Sequence, residues 1–88
     1  GVAGVDELRA ALERNPDDHQ ARLDLALALS GAGEDDEAID ALLELFRRDR
    51  EWNDGAAKAQ LLKLFDSLGP KSAAGQRGRR ALTSMIFA

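Results

Sequence analysis

Apolar residues recur every three or four positions along almost the whole chain of 88 residues, which is the spacing of one face of an α-helix. The periodic segments cover residues 4–14, 18–32, 35–48, 55–68 and 72–87. Leucine and alanine dominate the apolar set, whereas a sheet would use more β-branched residues. The sequence therefore predicts an all-α protein of about five helices.

Residues that end or begin helices separate these segments. The predicted ends lie at Asn15–Pro16, Gly33 and Gly69–Pro70. A residue before proline avoids the α region, and glycine readily adopts the left-handed conformation that ends many helices. The N-caps expected for the second and fourth helices are Asp17 or Asp18 and Asn53 or Asp54. Gly75 and Gly78 should weaken the first half of the fifth helix.

The residue content excludes most catalytic chemistry. The chain has no cysteine, so disulfides and thiolate metal sites are excluded within these residues. The single histidine, His19, lies beside Asp17 and Asp18, but three ligands in one first turn make a poor metal cage, so a solvated helix start is predicted. No serine has a histidine at a helper position, and the paired carboxylates are typical of caps and solvated faces. We predict no enzyme activity, no catalytic residue, no cofactor and no metal.

The net charge of −4 is distributed unevenly. Residues 1–69 contain all the acidic side chains, whereas residues 70–88 contain four bases and no acid. A nucleic-acid surface would need a broad positive footprint, so no nucleic-acid partner is expected. No apolar run approaches the roughly 20 residues of a membrane span, and residues 1–5 do not follow the signal-peptide pattern. The expectation is a cytoplasmic protein that does not use a membrane.

Residues 19–50 resemble one tetratricopeptide repeat, which is a pair of antiparallel helices. A large residue followed by a small one, Leu25–Ala26, stands in the first helix, and Gly33 stands at the turn. The small Ala38 stands where two helix backbones should cross closely. The repeat usually closes with proline, and Arg50 replaces it here. The resemblance implies a superhelical stack of antiparallel helix pairs.

The same pattern, read in both directions along the chain, divides it into three units. Residues 1–16 form the second helix of a truncated repeat, residues 17–50 the best-matching repeat, and residues 51–88 a divergent C-terminal repeat and cap. The last unit is divergent because Gly78 stands where the repeat has a large residue. The first helix should then be loosely held, or covered by a second copy of the chain, which leaves a homodimer through this edge as an alternative.

Three stretches carry a narrower resemblance, namely NPDDHQARLDLALAL (15–29), RRDREWNDGAAKAQLLKLFDSLGP (47–70) and RGRRALTSMIF (77–87). They resemble the C-terminal domain of the bacterial thioredoxin-like co-chaperones of the YbbN (CnoX) type. In that family a thioredoxin-fold domain precedes the helical repeats, and the whole protein is a holdase that passes clients to the chaperonin. The resemblance implies a protein-interaction module that binds unfolded or partly folded clients and docks on the chaperonin. The alternative is a structural or dimerisation domain that braces a parent thioredoxin-like protein.

Two surfaces and one aromatic residue are the candidate binding sites. The first helix of the best repeat should line a concave groove with Gln20, Leu23, Asp24 and Leu27, which suits an apolar segment unless a neighbouring helix covers the leucines. The fifth helix ends on a basic and apolar set, Arg77, Arg80, Leu82, Met85, Ile86 and Phe87. Some of these must seal the fourth helix, and the rest would form a docking patch. Trp52 either fills the connection after the best repeat or anchors a partner.

Overall fold

The computed structural model describes residues 4–88. Its helices are α1 (Val5–Arg14), α2 (His19–Gly31), α3 (Asp35–Arg48), α4 (Trp52–Leu68) and α5 (Ala73–Ile86). No strand occurs within this range, so the all-α prediction is confirmed. The predicted first unit begins in residues 1–3, which lie outside the described residues. Among the described helices, none combines the length and the apolar character needed to cross a membrane.

The second helix ends as predicted. Gly33 has a φ of 79°, which is a left-handed conformation. Its N–H donates to the carbonyl of Ser30 (3.1 Å), and the N–H of Glu34 donates to the carbonyl of Leu29 (2.9 Å). These two bonds form the Schellman motif, which satisfies carbonyls that the helix end leaves without partners. The turn between α2 and α3 is therefore set by local sequence.

Side-chain caps begin two of the helices. Asp18 caps α2, because its Oδ1 accepts a hydrogen bond from the N–H of Ala21 at 3.0 Å. Ser72 caps α5, because its Oγ accepts from the N–H of Gly75 at 3.0 Å. Of the two aspartates predicted for α2, the structure thus uses the second.

The start of α4 differs from the prediction. The helix begins at Trp52, and no side chain caps it. Asn53, Asp54 and Gly55 have φ values of 51°, 56° and 78°, so three successive residues are left-handed. Asn and Asp tolerate this conformation better than other residues with a Cβ atom. The prediction of Asn53 or Asp54 as an N-cap was wrong, because these residues form a left-handed turn between Trp52 and the regular part of α4.

The core is built around α3, which packs against α2, α4 and α5. α1 packs on α2, and α2 also touches α4. The side chains with no exposed surface come from the two central helices: Ala38, Ile39 and Leu45 of α3 and Leu61 and Phe65 of α4. Burying one leucine or phenylalanine side chain contributes about 1.5–3 kcal/mol. In this packing α2 is in contact with α4, and α3 is in contact with α5.

Gly78 lies where α5 crosses the core. A Cβ atom at this position would lie 2.6 Å from Cε1 of Phe65 and 2.9 Å from Cγ2 of Ile39. Both neighbours are fully buried and have no room to withdraw. Gly78 therefore departs from the large residue of the repeat pattern because the close approach of the helices leaves space only for a hydrogen atom.

Candidate binding grooves

A groove of about 210 Å³ separates the first helices α2 and α4. This α2–α4 groove is lined by Ala26, Leu27, Ser30, Leu42, Gln60, Lys63, Leu64 and Ser67. Its buried apolar residues form a floor, above which Leu27 remains 46% exposed. Polar side chains of α4 form the rim. An apolar floor with a few polar groups around it is typical of binding sites.

The structure places the predicted groove residues in different environments. Leu27 lines the α2–α4 groove, but Leu23 is buried and belongs to the core, together with Leu8 of α1. The prediction that Leu23 faces the groove was therefore wrong. Gln20 and Asp24 are hydrogen-bonded to each other across one turn, at 2.9 Å, and neither lines this groove.

Residues of α4 complete the groove, and sequence reasoning missed them. They are Gln60, Lys63 and Ser67. Because they recur every three or four positions, they share one face of α4. This polar spacing could have been found in the sequence, but which face of α4 turns towards α2 depends on how the two helices pack.

A second groove, of about 270 Å³, lies between α4 and α5. This α4–α5 groove is lined by Lys58, Leu62, Phe65, Arg79, Leu82, Thr83 and Ile86. Phe65 and Leu82 are buried and form its floor, whereas Leu62 is 48% exposed at its edge. The guanidinium of Arg79 lies 5.2 Å from the centroid of the Phe65 ring, within the range of a cation–π interaction.

The apolar residues predicted for docking at the end of α5 have two different environments. Leu82 is only 5% exposed, and Met85 is partly buried against the core. These two therefore seal the last helix pair, which corrects the prediction that Leu82 belongs to an exposed partner surface. Ile86 lies on the exposed side, and Phe87 is 82% exposed.

The two predicted basic residues of α5, Arg77 and Arg80, also have different environments. Arg77 donates to Oδ1 of Asp36 (2.9 Å) and to Oδ1 of Asp40 (3.0 Å), so it fastens α5 to α3. The hydrogen bonds to Asp36 and then to Asp40 raise the pKa of Arg77. The guanidinium of Arg77 is thus paired with aspartates of the same chain, whereas the Arg80 side chain is exposed.

Trp52 lies against His19. The two rings meet edge to face, with centroids 5.8 Å apart, and Nε2 of His19 lies 4.0 Å from Oδ2 of Asp49. The His19 side chain is only 18% exposed, although its neighbours Asp17 and Gln20 at this helix start are exposed. The half-buried Trp52 packs against the core, which favours its predicted role as a filler of this connection. No group of three metal-ligating residues occurs within residues 4–88.

A third groove, between α1, α2 and α3, contains charges that already pair with one another. Arg9 Nη2 lies 2.6 Å from Oε2 of Glu37, and Arg48 Nε lies 2.8 Å from Oε2 of Glu44. The hydrogen bond from Arg47 is the main cause that lowers the pKa of Glu44, with Arg48 adding to it. Burial, followed by the charge of Arg48, lowers the pKa of Arg22. The Arg9–Glu37 pair connects α1 to α3, whereas the pairs of Glu44 with Arg47 and Arg48 lie within α3. These pairings leave fewer contacts for a ligand.

Comparison with known families identifies the family to which this helical architecture belongs. The family model described as "Tetratricopeptide repeat" matches residues 2–87, which is nearly the whole chain. The chain belongs to the tetratricopeptide-repeat family. No curated protein and no solved structure shows significant similarity to it. Tetratricopeptide-repeat domains generally mediate protein–protein interaction.

Tetratricopeptide repeats line a concave surface with the first helix of each pair. The repeat division predicted from the sequence makes α2 and α4 first helices, so we expect the α2–α4 groove to lie on the concave surface. The α4–α5 groove lies elsewhere, between the last two described helices. The two grooves share no lining residue.

Proposed function

We propose that the chain is the protein-interaction domain of a thioredoxin-like co-chaperone. It holds apolar segments of unfolded clients in the α2–α4 groove and docks on the chaperonin through the exposed end of α5. The observation that carries the proposal is Leu27, half-exposed above an apolar floor between two helices of a tetratricopeptide-repeat domain. The narrower resemblance to co-chaperones supplies the identity of the partners. The proposal includes a cytoplasmic location.

The α2–α4 groove suits an apolar client segment. Covering Leu27 removes apolar surface from water, which contributes about 25 cal/mol per Å². The rim residues Ser30, Gln60 and Ser67 offer hydroxyl and amide groups that can bond to the backbone of a bound chain. A site of this kind recognises apolar character more than a particular sequence, as a holdase requires.

The end of α5 supports docking. The exposed Ile86 and Phe87 stand at the end of α5. A phenylalanine side chain can bury about 150–250 Å², so Phe87 is a strong anchor. Because Arg77 and Leu82 fasten α5 to the rest of the domain, this anchor is presented on a fixed helix.

Client holding can be tested by light scattering of a chemically denatured test protein at equimolar ratio. We expect the wild-type chain to slow aggregation and Leu27→Ser to lose most of this effect. Leu62→Ser is the matched control, since Leu62 is equally exposed but lies outside the α2–α4 groove. Client holding is contradicted if the wild-type chain does not slow aggregation, or if Leu27→Ser remains fully active.

Chaperonin docking can be tested by capture on immobilised chaperonin, with wild type compared with Phe87→Ser. A point substitution is preferable to truncation after Arg80, because truncation would remove the buried Leu82. We expect Phe87→Ser to lose binding while its circular dichroism stays unchanged. Absence of binding by the wild-type chain would contradict docking and favour a bracing role.

The alternative is a structural or dimerisation domain. A tight dimer that buries Leu8, Leu23 and Leu27 would favour this role, but Leu8 and Leu23 are already buried within one chain. Of these three leucines, Leu27 is the one that remains exposed. Analytical ultracentrifugation tests this alternative, because a tight dimer that Leu27→Ser dissociates would favour bracing over client holding.

A further inference from the structure

We propose that the α4–α5 groove binds an acidic amphipathic helix of a partner protein. The inference rests on the proposed function in taking this end of the domain as a docking surface, and it adds the α4 wall and the chemistry of the partner. Apolar contacts, unpaired positive charge and the packing pattern of the domain each support it.

The groove offers apolar surface on both walls. Leu62 of α4 and Ile86 of α5 are exposed on either side of a floor made by Phe65 and Leu82, and the exposed Phe87 follows Ile86 directly. The groove has a volume of about 270 Å³, and the exposed apolar residues on both walls suit the anchor side chains of a polypeptide.

Its charge is positive in an otherwise acidic protein. Lys58 stands on the α4 wall and Arg79 on the α5 wall, and no acidic side chain lines the groove. Within residues 4–88, neither of these two residues forms an ion pair. Because Arg79 stacks on Phe65, its guanidinium is held in place with N–H groups that can donate to a carboxylate. The complementary partner therefore carries carboxylates beside apolar residues.

The packing of the domain favours a helix as the occupant. α4 itself packs against the preceding pair, α2 and α3. The next pair, α4 and α5, presents a corresponding groove with exposed leucine and isoleucine at its edges. A partner helix laid there would repeat the stacking by which helical repeats bury their apolar faces.

A second copy of this chain fits the groove less well. Its acidic helices are α1 and α3, which carry acidic residues in their first turns. Both turn their apolar residues, such as Leu8 and Leu42, into their own core. The α1 and α3 helices of a folded copy therefore present acids without the apolar anchors that the groove requires.

The test uses a fluorescein-labelled synthetic peptide of about 14 residues, which forms about four helical turns. It carries leucines at every third or fourth position and glutamates beside them. We expect the wild-type chain to bind it in fluorescence-anisotropy titrations, and added salt to weaken binding. A peptide with glutamine at every glutamate position should bind about tenfold more weakly. Equal binding of the two peptides would overturn the proposal.

Matched variants locate the site. Leu62→Ser and Lys58→Glu should each weaken peptide binding by about tenfold. Lys71→Glu makes the same charge change at an exposed residue that lines neither groove and should change affinity by less than about twofold. Circular dichroism checks that each variant folds. The proposal is overturned if Leu62→Ser and Lys58→Glu have no effect, or if Lys71→Glu weakens binding as much as Lys58→Glu does.

Two further measurements separate the possible occupants. Sedimentation of wild type and Leu62→Ser would reveal a homodimer through this groove, and co-sedimentation with phosphatidylglycerol vesicles would reveal a lipid surface as the occupant. Either result, with no peptide binding, overturns the partner helix. Peptide binding without chaperonin capture contradicts the docking proposal alone. Chaperonin capture that depends on Phe87, without peptide binding, contradicts this inference alone.

Discussion

Gly78 shows how one missing side chain permits the close packing of three helices. Its position faces Phe65 of α4 and Ile39 of α3, both fully buried. In an isolated helix, glycine is less favourable than alanine by about 0.5–1 kcal/mol. Here that cost is offset by the close approach of α5, which a Cβ atom would prevent.

We expect Gly78→Ala to destabilise the domain. Overpacking a core costs about 1–3 kcal/mol, and the better helix propensity of alanine returns at most about 1 kcal/mol. Gly75→Ala is the control, because its Cβ atom would meet Ser72 at an ordinary contact distance of 3.5 Å; it should be neutral or slightly stabilising. Urea unfolding followed by circular dichroism measures both. Equal stability of the two variants would contradict the packing argument.

Among the elements, α5 has two faces with different tasks. One face, with Gly78 and Leu82, closes the core, while Arg77 fastens the helix to α3. The other face carries Arg79 and Ile86 into the α4–α5 groove. Both faces contain basic and apolar residues, so composition alone does not separate the sealing residues from those that are exposed.

This division of α5 predicts different effects of two alanine substitutions. Leu82→Ala should reduce the free energy of unfolding by about 2–4 kcal/mol, because it leaves a cavity in the core. Phe87→Ala should change it by less than about 0.5 kcal/mol, since the side chain is mostly exposed and surface substitutions have small effects. Chemical denaturation compares the two. A large loss for Phe87→Ala would show that the end of α5 is part of the core.

In the whole molecule, ion pairs connect α3 to its neighbours. Arg9 of α1 pairs with Glu37, Arg77 of α5 pairs with Asp36, and Arg48 of α3 pairs with Asp17 before α2. Exposed pairs of this kind contribute little individually. Because α3 also contacts most of the other helices, it connects the domain by both packing and charge.

Glu44 makes stability depend on pH. Hydrogen bonds from Arg47 and then Arg48 lower its pKa in the folded chain, so the fold favours the ionised form. This contribution is present above the usual glutamate pKa of about 4.3 and is lost as the pH falls through the lowered pKa. We expect Glu44→Gln to be less stable than wild type at neutral pH, with the difference disappearing in acid. Urea unfolding of both proteins at neutral and at acidic pH measures this difference in stability.

The control for Glu44 is Glu13→Gln. Glu13 is exposed and has no ion pair within the described residues, so its substitution should have little effect at either pH. A Glu44→Gln difference that persists unchanged in acid would show that packing, not charge, causes it.

The helices could be predicted because their signals are local. The predicted bounds of α1, α2, α3 and α5 differ from the structure by at most one residue, which is within the usual uncertainty of helix ends. Gly33 ended its helix as expected. The start of α4 could not be predicted in the same way, since Asn53 and Asp54 are common both as caps and in left-handed turns.

The sequence by itself determined an all-α chain of five helices and its membership of a protein-interaction repeat family, because periodicity, capping and helix ends depend on neighbours along the chain. Only the tertiary structure decided the fate of individual side chains. It placed Leu23 in the core but Leu27 in a groove, and it made Gly78 a crossing point. The physical reason is that each helix has several neighbours, and the angles at which they pack determine which residues of its apolar face remain exposed.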